Sequence, residues 1–226
     1  MQQSKAKKIA ISLLLTLAML VSAQAAEISS LIPIGHTVGI QMSAEGVLVV
    51  HLRAVQTPEG EAWPARDAGV SEGDTIVSVS GTEVSSNDDL QKQIAFSGGQ
   101  PVELELVRDG AHQNVTVTPS QDEDGAYRIG ILARDSMAGI GTLTYVDPET
   151  GEYGSLGHGI CDSETGVLMP LKEGSLIYSV VGSVQRGEAG EPGALQGEFT
   201  ADSTLGTVEE NTDSGIFGTM TDASLY

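Results

Sequence analysis

Four histidines, one cysteine and a late serine are the side chains of this sequence best suited to chemistry. His36, His51, His112 and His158 are scattered, without C-x-x-C or H-x-x-x-H spacing, so no metal site and no cofactor are expected. His36 has no other histidine, cysteine or carboxylate beside it at ligand spacing and reads as a loop residue. His158 differs, because Cys161 and Asp162 follow it closely. An imidazole with an ordinary pKa of about 6.5 accepts a proton near neutral pH and can return it to a leaving group. On residue type alone, a histidine between Gly157 and Gly159 reads first as a turn residue. Cys161 could serve it as a nucleophile, but residues so close at a strand end seldom face each other, and a lone cysteine reads first as buried packing. A single cysteine also excludes an internal disulfide.

The elements that would position these groups follow a leader. Lys5, Lys7 and Lys8 precede an apolar run from Ile9 to Val21, and Ala23-Gln24-Ala25 supplies a small-x-small cleavage pattern. The run is shorter than the roughly 20 apolar residues of a membrane-spanning helix. Residues 1–25 are therefore expected to be a cleaved export signal that touches the membrane only transiently. A net charge of −20 argues against nucleic acid as a partner. The acids are scattered among 40% apolar residues, the composition of a chain that folds rather than of an acidic tail. Sparse aromatics, many glycines and abundant valine favour short strands joined by tight turns, a mostly β fold.

Residues 31–119 read as one small α+β unit. Val38 to Met42 and Val47 to Leu52 are expected strands, with Ala44-Glu45-Gly46 as the turn between them. A helical turn over Pro64 to Val70 and a strand around Ile76 follow. Asn87 to Ser97 is the convincing helix: Ser86 or Asn87 caps it, Asp88 and Asp89 suit its N-terminal dipole, and Leu90 and Ile94 share a face. Strands containing Val102 to Arg108 and Val115 to Val117 turn at Asp109-Gly110. Residues 120–126 are polar and acidic and read as a linker. Beyond them, over 127–226, a hairpin turning at Asp147-Pro148-Glu149-Thr150-Gly151 delivers His158.

The run Ala68 to Gly81, A-G-V-x-x-G-D-T-I-x-x-V-x-G, resembles the PDZ domains of bacterial exported proteases. Such domains add an extended peptide to a sheet edge and often hold its terminal carboxylate on amides of a glycine-containing loop. The resemblance makes Gly35, His36, Thr37, Val38, Gly39 and Ile40 the candidate loop for protein or peptide C-termini. Leu90 and Ile94 either face that groove or pack only against the sheet.

The run from Arg134 to His158, R-D-S-x-A-G-I-G-T-L-T-Y-x-D-P-x-T-G-x-Y-G-S-L-G-H, is similar to the serine peptidases typified by stage IV sporulation protein B. Gly187 to Gly193, Gly215 to Met220, Leu31 to Gly35 and Gly46 to Val50 continue the likeness, which covers Leu31 to Met220. It implies a PDZ domain followed by a chymotrypsin-like β-barrel domain, and a cofactor-free serine endopeptidase with His158 as general base. By the same likeness its substrates are proteins in the space between the two membranes around a developing spore, a regulator of a membrane-embedded protease and the enzyme itself among them. The family's serine motif, G-x-S-G-S-P, and its acidic partner follow the G-I-F-G-T segment and do not occur before Tyr226. The barrel domain is therefore expected to be incomplete and the chain an inactive fragment. Thr212-Asp213-Ser214-Gly215 resembles the G-D-S-G of trypsin-like enzymes, but it lacks the preceding glycine and leads into G-I-F-G-T, so Ser214 is not taken as the nucleophile. The alternative is a non-catalytic PDZ tether with a degenerate protease segment.

Overall fold

The computed structural model describes residues 30–190 and 193–225, less the side chains of 200–202. The leader lies outside the described residues, as does part of the Gly187 to Gly193 loop. No helix among the described residues is long and apolar enough to cross a membrane.

A single strand organises both halves of the fold. β1 runs unbroken over Ile32–Leu52, 21 residues, where two strands and a turn were expected. The Ala44-Glu45-Gly46 segment is an irregularity, with the register against its neighbour shifting between Ser43 and Leu48. Gly46, at φ +94°, makes this possible: a Cβ there would lie 2.5 Å from the Ile76 carbonyl oxygen. A bulge rather than a turn keeps the flanking runs in one strand, so that Val38, Ile40 and Met42 enter one core while Val47 and Val49 enter another.

The first core is built by β4 (Thr75–Val79), β6 (Val102–Arg108), β7 (Ala111–Val117) and the second half of β1. β5 (Thr82–Glu83) pairs with β4, and the short helix α1 (Pro64–Asp67) follows the hairpin of β2 (Val55–Thr57) and β3 (Gly60–Ala62). Helix α2 (Asn87–Phe96) begins where expected: the Ser86 hydroxyl accepts from the Asp89 amide, and Asp88 and Asp89 occupy the first turn. Its Leu90 and Ile94 are buried with Ile76, Leu104 and Leu106. Arg108 grips buried Asp74 through Nε and Nη2, each at 2.6 Å, which ties the Gly73-Asp74 corner to β6.

The expected linker is structured. β8 (Ser120–Gln121) pairs with β9 (Tyr127–Arg128), and Asp122 closes the turn by accepting from the Ala126 and Asp124 amides. The chain is thereby returned to the first core, where Ile129 is buried and Tyr127, Ile131 and Ala133 pack against it. The first core thus takes in Tyr127, Ile129, Ile131 and Ala133 from beyond this turn.

The second core sits inside a ring of six antiparallel strands. β10 (Ile131–Val146), β11 (Glu152–Leu156), β14 (Gly215–Met220), β13 (Ala194–Thr212) and β12 (Leu171–Gln185) follow in that order, and β1 closes the ring by pairing with both β12 and β10. Val38, Ile40 and Met42 point inward with Leu143, Tyr153, Leu176 and Ile216. Fold class is therefore mostly β, with an α+β unit and a sheet-rich barrel, but the barrel borrows a strand from a region expected to belong to the first unit.

A histidine loop and a peptide cleft

His158 stands in the loop between β11 and β12, and hydrogen bonds from elsewhere hold that loop. The Asn211 side chain on β13 accepts from the Ile160 amide at 2.8 Å and donates to the carbonyls of Ile160 and Met169, both at 2.9 Å. The Gly157 amide donates to the Ser214 carbonyl at 3.1 Å. His158 is exposed, and its Nδ1 lies 2.8 Å from the Gly159 carbonyl oxygen. A carbonyl only accepts, so this contact assigns the ring proton to Nδ1 and leaves Nε2 as the basic nitrogen. That is the tautomer a general base requires.

Neither sequence-level nucleophile reaches this ring. Ser214 lies beside the loop through its backbone, but its Oγ turns to Thr212 Oγ1, 3.2 Å away. Cys161 is exposed rather than packed, and its sulfur lies 3.8 Å from the Gly159 carbonyl. Among the described residues no serine hydroxyl or carboxylate hydrogen-bonds His158. Nor do any three or more His, Cys, Asp or Glu side chains group to hold a metal ion.

The expected carboxylate loop is not a loop. Gly35 to Ile40 lie within β1, where Val38 faces Gly141 on one side and Tyr178 on the other, with Gly39 and Ile40 flanked likewise. Val38 to Ile40, paired on both edges, keep their amides in the ladder, and Gly35 to Thr37 extend the same strand. His36 is exposed opposite Leu143.

The strand beside α2 is instead the start of β10. Leu90 and Ile94 both belong to the core and line a cleft of about 550 Å³, whose other wall includes Ile129, Gly130, Ile131 and Ala133. The stripe is thus buried in the core and also borders this cleft. β10 pairs with β1 through Ile131 to Arg134 on one edge, and no strand among the described residues covers the other. The Asn87 side-chain amide reaches the Ala133 carbonyl at 3.2 Å, which orients that free edge toward α2. Gly130, at φ +76°, turns the chain into the cleft, and a Cβ there would lie 2.3 Å from the Arg53 carbonyl oxygen. The glycine-containing loop next to a strand edge and a helix is thus Ile129-Gly130-Ile131. Its I-G-I run in the sequence was the available signal, masked by the polar stretch before it.

Comparison with known proteins finds a PDZ-like segment followed by a peptidase-like one in this chain. The PDZ domain family matches residues 37–118, and the SpoIVB peptidase S55 family matches residues 125–225, the span holding His158. A protein of Clostridium perfringens named as a zinc metalloprotease is 35% identical over 68 residues, 30% of this chain and 20% of its own length. A Halomonas elongata protein named as a DegP-like periplasmic serine endoprotease is 38% identical over 110 residues, 48% of this chain and 22% of its own length. The chain spans about a fifth of the length of both. The solved PDZ domain of an SdrC-like protein from Listeria monocytogenes covers 39% of this chain and 87% of its own at 19% identity, with a TM-score of 0.32.

Proposed function

We propose that this chain supplies the peptide cleft and the general base of an exported serine endopeptidase of the sporulation-signalling type. The observation that carries the reading is His158, which lies within the peptidase match with Nδ1 on a carbonyl and Nε2 free. In the reaction, a serine Oγ bonds to the substrate carbonyl carbon while Nε2 takes its proton. Nε2 then protonates the leaving amine as the C–N bond breaks, and a water deprotonated by the same nitrogen releases the acyl group and restores the serine. The Gly159 carbonyl supports the imidazolium through Nδ1–H. The cleft selects substrate by adding a peptide to the open edge of β10, with its carboxylate end toward Gly130. The lysine-rich apolar leader supports export, and a role between the spore membranes follows only from the likeness carried by Arg134 to His158.

The nucleophile is a serine other than Ser214. In protein expressed from its complete reading frame, His158→Ala is expected to lower cleavage of casein by about 10⁴-fold with the circular dichroism spectrum unchanged. Ser214→Ala and Cys161→Ala are expected to stay within about twofold of the parent. A fluorophosphonate should label one serine, mapped by mass spectrometry. Cleavage that survives His158→Ala removes the base assignment, and a protein that cleaves nothing and takes no label leaves the tether reading.

A further inference from the structure

Strand β10 presents successive residues to opposite sides. On one side, the Ala133 carbonyl accepts from the Asn87 side chain at 3.2 Å, and Asp135 Oδ2 accepts from the Asn87 amide at 2.8 Å. Both therefore meet α2, which walls the cleft. On the other side Arg134 reaches the loop that follows His158, with Nε 3.0 Å from Asp162 Oδ2 and Nη2 donating to Glu164 Oε1 at 3.0 Å. Three consecutive residues thus touch both candidate sites.

Asp162 organises that loop. It is 1% exposed, and its Oδ1 accepts from the amides of Glu164 (3.0 Å) and Thr165 (2.9 Å) and from the Thr165 hydroxyl (3.1 Å). Its Oδ2 has no hydrogen bond: Arg134 Nε is near but out of alignment, so the guanidinium acts there as a charge. Burial pushes the Asp162 carboxyl up, yet the Thr165 and Glu164 amides, the Thr165 hydroxyl and the Arg134 charge outweigh it and hold the group below the usual range. An ionised carboxylate this deep needs its compensating cation in place. Glu164 is held a second time, by His51 Nε2 on β1, while His51 Nδ1 meets Glu72 Oε1 at 3.1 Å. A carboxylate on each ring nitrogen favours the imidazolium, in which both nitrogens donate.

We propose that Arg134 is a positioning residue through which β10 sets the His158 loop, so that the state of the peptide cleft and the placement of the general base are energetically coupled. The proposal rests on the peptidase reading for its consequence in catalysis, but the physical tie is measurable without turnover. Coupling of this kind requires a shared element that both sites bias, and residues 133–135 are that element.

Amide hydrogen exchange and the His158 ring signals in NMR spectra of the intact protein test it. Arg134→Gln is expected to speed exchange at Glu164, Thr165 and Gly166 by about tenfold. It should also shift the His158 signals and lower kcat with KM unchanged. Arg134→Lys, which keeps the charge, should restore part of each. If Arg134→Gln does not fold, Glu164→Gln loosens the same clasp from a more exposed position and should give a smaller change of the same kind. Asn87→Ala, on the cleft side, should move the His158 signals in the parent and leave them still in the Arg134→Gln background. Unchanged exchange at 164–166 together with unchanged His158 signals overturns the proposal, as does an Asn87→Ala response that persists without Arg134. A loop that loosens in a protein that cleaves nothing keeps the tie and removes only the reaction.

Discussion

Two five-residue turns in this molecule share nearly one sequence, Asp147-Pro-Glu-Thr-Gly151 and Asp162-Ser-Glu-Thr-Gly166, and nearly one geometry. In each, the aspartate Oδ1 accepts from the amides two and three residues on, at 2.8 and 3.3 Å in the first and 3.0 and 2.9 Å in the second. In each, the glycine amide returns to the aspartate carbonyl at 2.8 Å, with φ of +77° and +71°. Their surroundings differ. Asp147 is half-buried, and neither it nor Glu149 forms an ion pair among the described residues. Asp162 is buried against Arg134, and Glu164 is held by both Arg134 and His51. Turn chemistry is written locally, whereas the task a turn performs is assigned by what packs on it.

The largest effect that tests this contrast is aspartate removal. Asp162→Ala deletes three hydrogen bonds to a charged acceptor and leaves Arg134 with Glu164 alone, an expected loss of about 3 kcal/mol, against about 1 kcal/mol for Asp147→Ala. Urea unfolding of both variants decides, and equal losses would break the comparison.

A smaller effect follows from pH. Hydrogen bonds to Glu72 and Glu164 raise the pKa of His51 above its ordinary 6.5, so its share of stability is whole below that value and is lost as pH rises through the raised one. The hydrogen bond from His51 chiefly lowers Glu72 below its ordinary 4.5, so that share is whole above 4.5 and is lost as pH falls through the lowered value. The His51–Glu72 pair is complete between 4.5 and 6.5, and the His51 charge that also holds Glu164 is whole below 6.5. Exchange at residues 164–166, corrected for its intrinsic base dependence, should be slower near pH 5.5 than near pH 9, while residues 149–151 should follow the intrinsic dependence alone. Identical corrected profiles would remove His51 from the clasp.

The smallest difference is expected at the glycines. Gly151→Ala and Gly166→Ala each force a β-carbon into the left-handed region and should each cost about 1 kcal/mol. A gap much beyond that between the two melts would show that the surrounding packing strains the turn backbone itself.

What the sequence made legible was local. Helix α2 carries its cap at Ser86, its acids at Asp88 and Asp89 and its stripe at Leu90 and Ile94, and it lies where those signals put it. The Asp147 turn was legible for the same reason, and the residues around His158 pointed to its place after a strand. The rest depends on contacts between distant segments. Ala44-Glu45-Gly46 can be a turn or a bulge, and the close approach of Gly46 to Ile76 decides between them. Residues 121–126 are as polar as a linker, yet Asp122 folds them into a tight turn, so Ile131 and Ala133 take the place beside α2 that Gly35 to Ile40 were expected to fill. Nothing near Arg134 in the chain announces Asp162 as its partner.

The unbroken course of β1 bears on how the chain acquires its structure. Ile32 pairs with Val146, and Leu52 with Ile131, so the earliest strand waits for partners synthesised long after it. Ribosomes add about 5–20 residues per second, which leaves the Ile32 end of β1 unpaired for roughly 6–23 s. Its mean contact separation is correspondingly large, and such topologies fold slowly. Val47 and Leu48 meet Ile76 and Thr75 of β4 early, but Val38, Ile40 and Met42, buried at the end, wait for β10 and β12 as an apolar run with no mate. A chaperone that holds extended apolar segments would meet this strand first, and segments ending short of residue 131 should aggregate rather than fold.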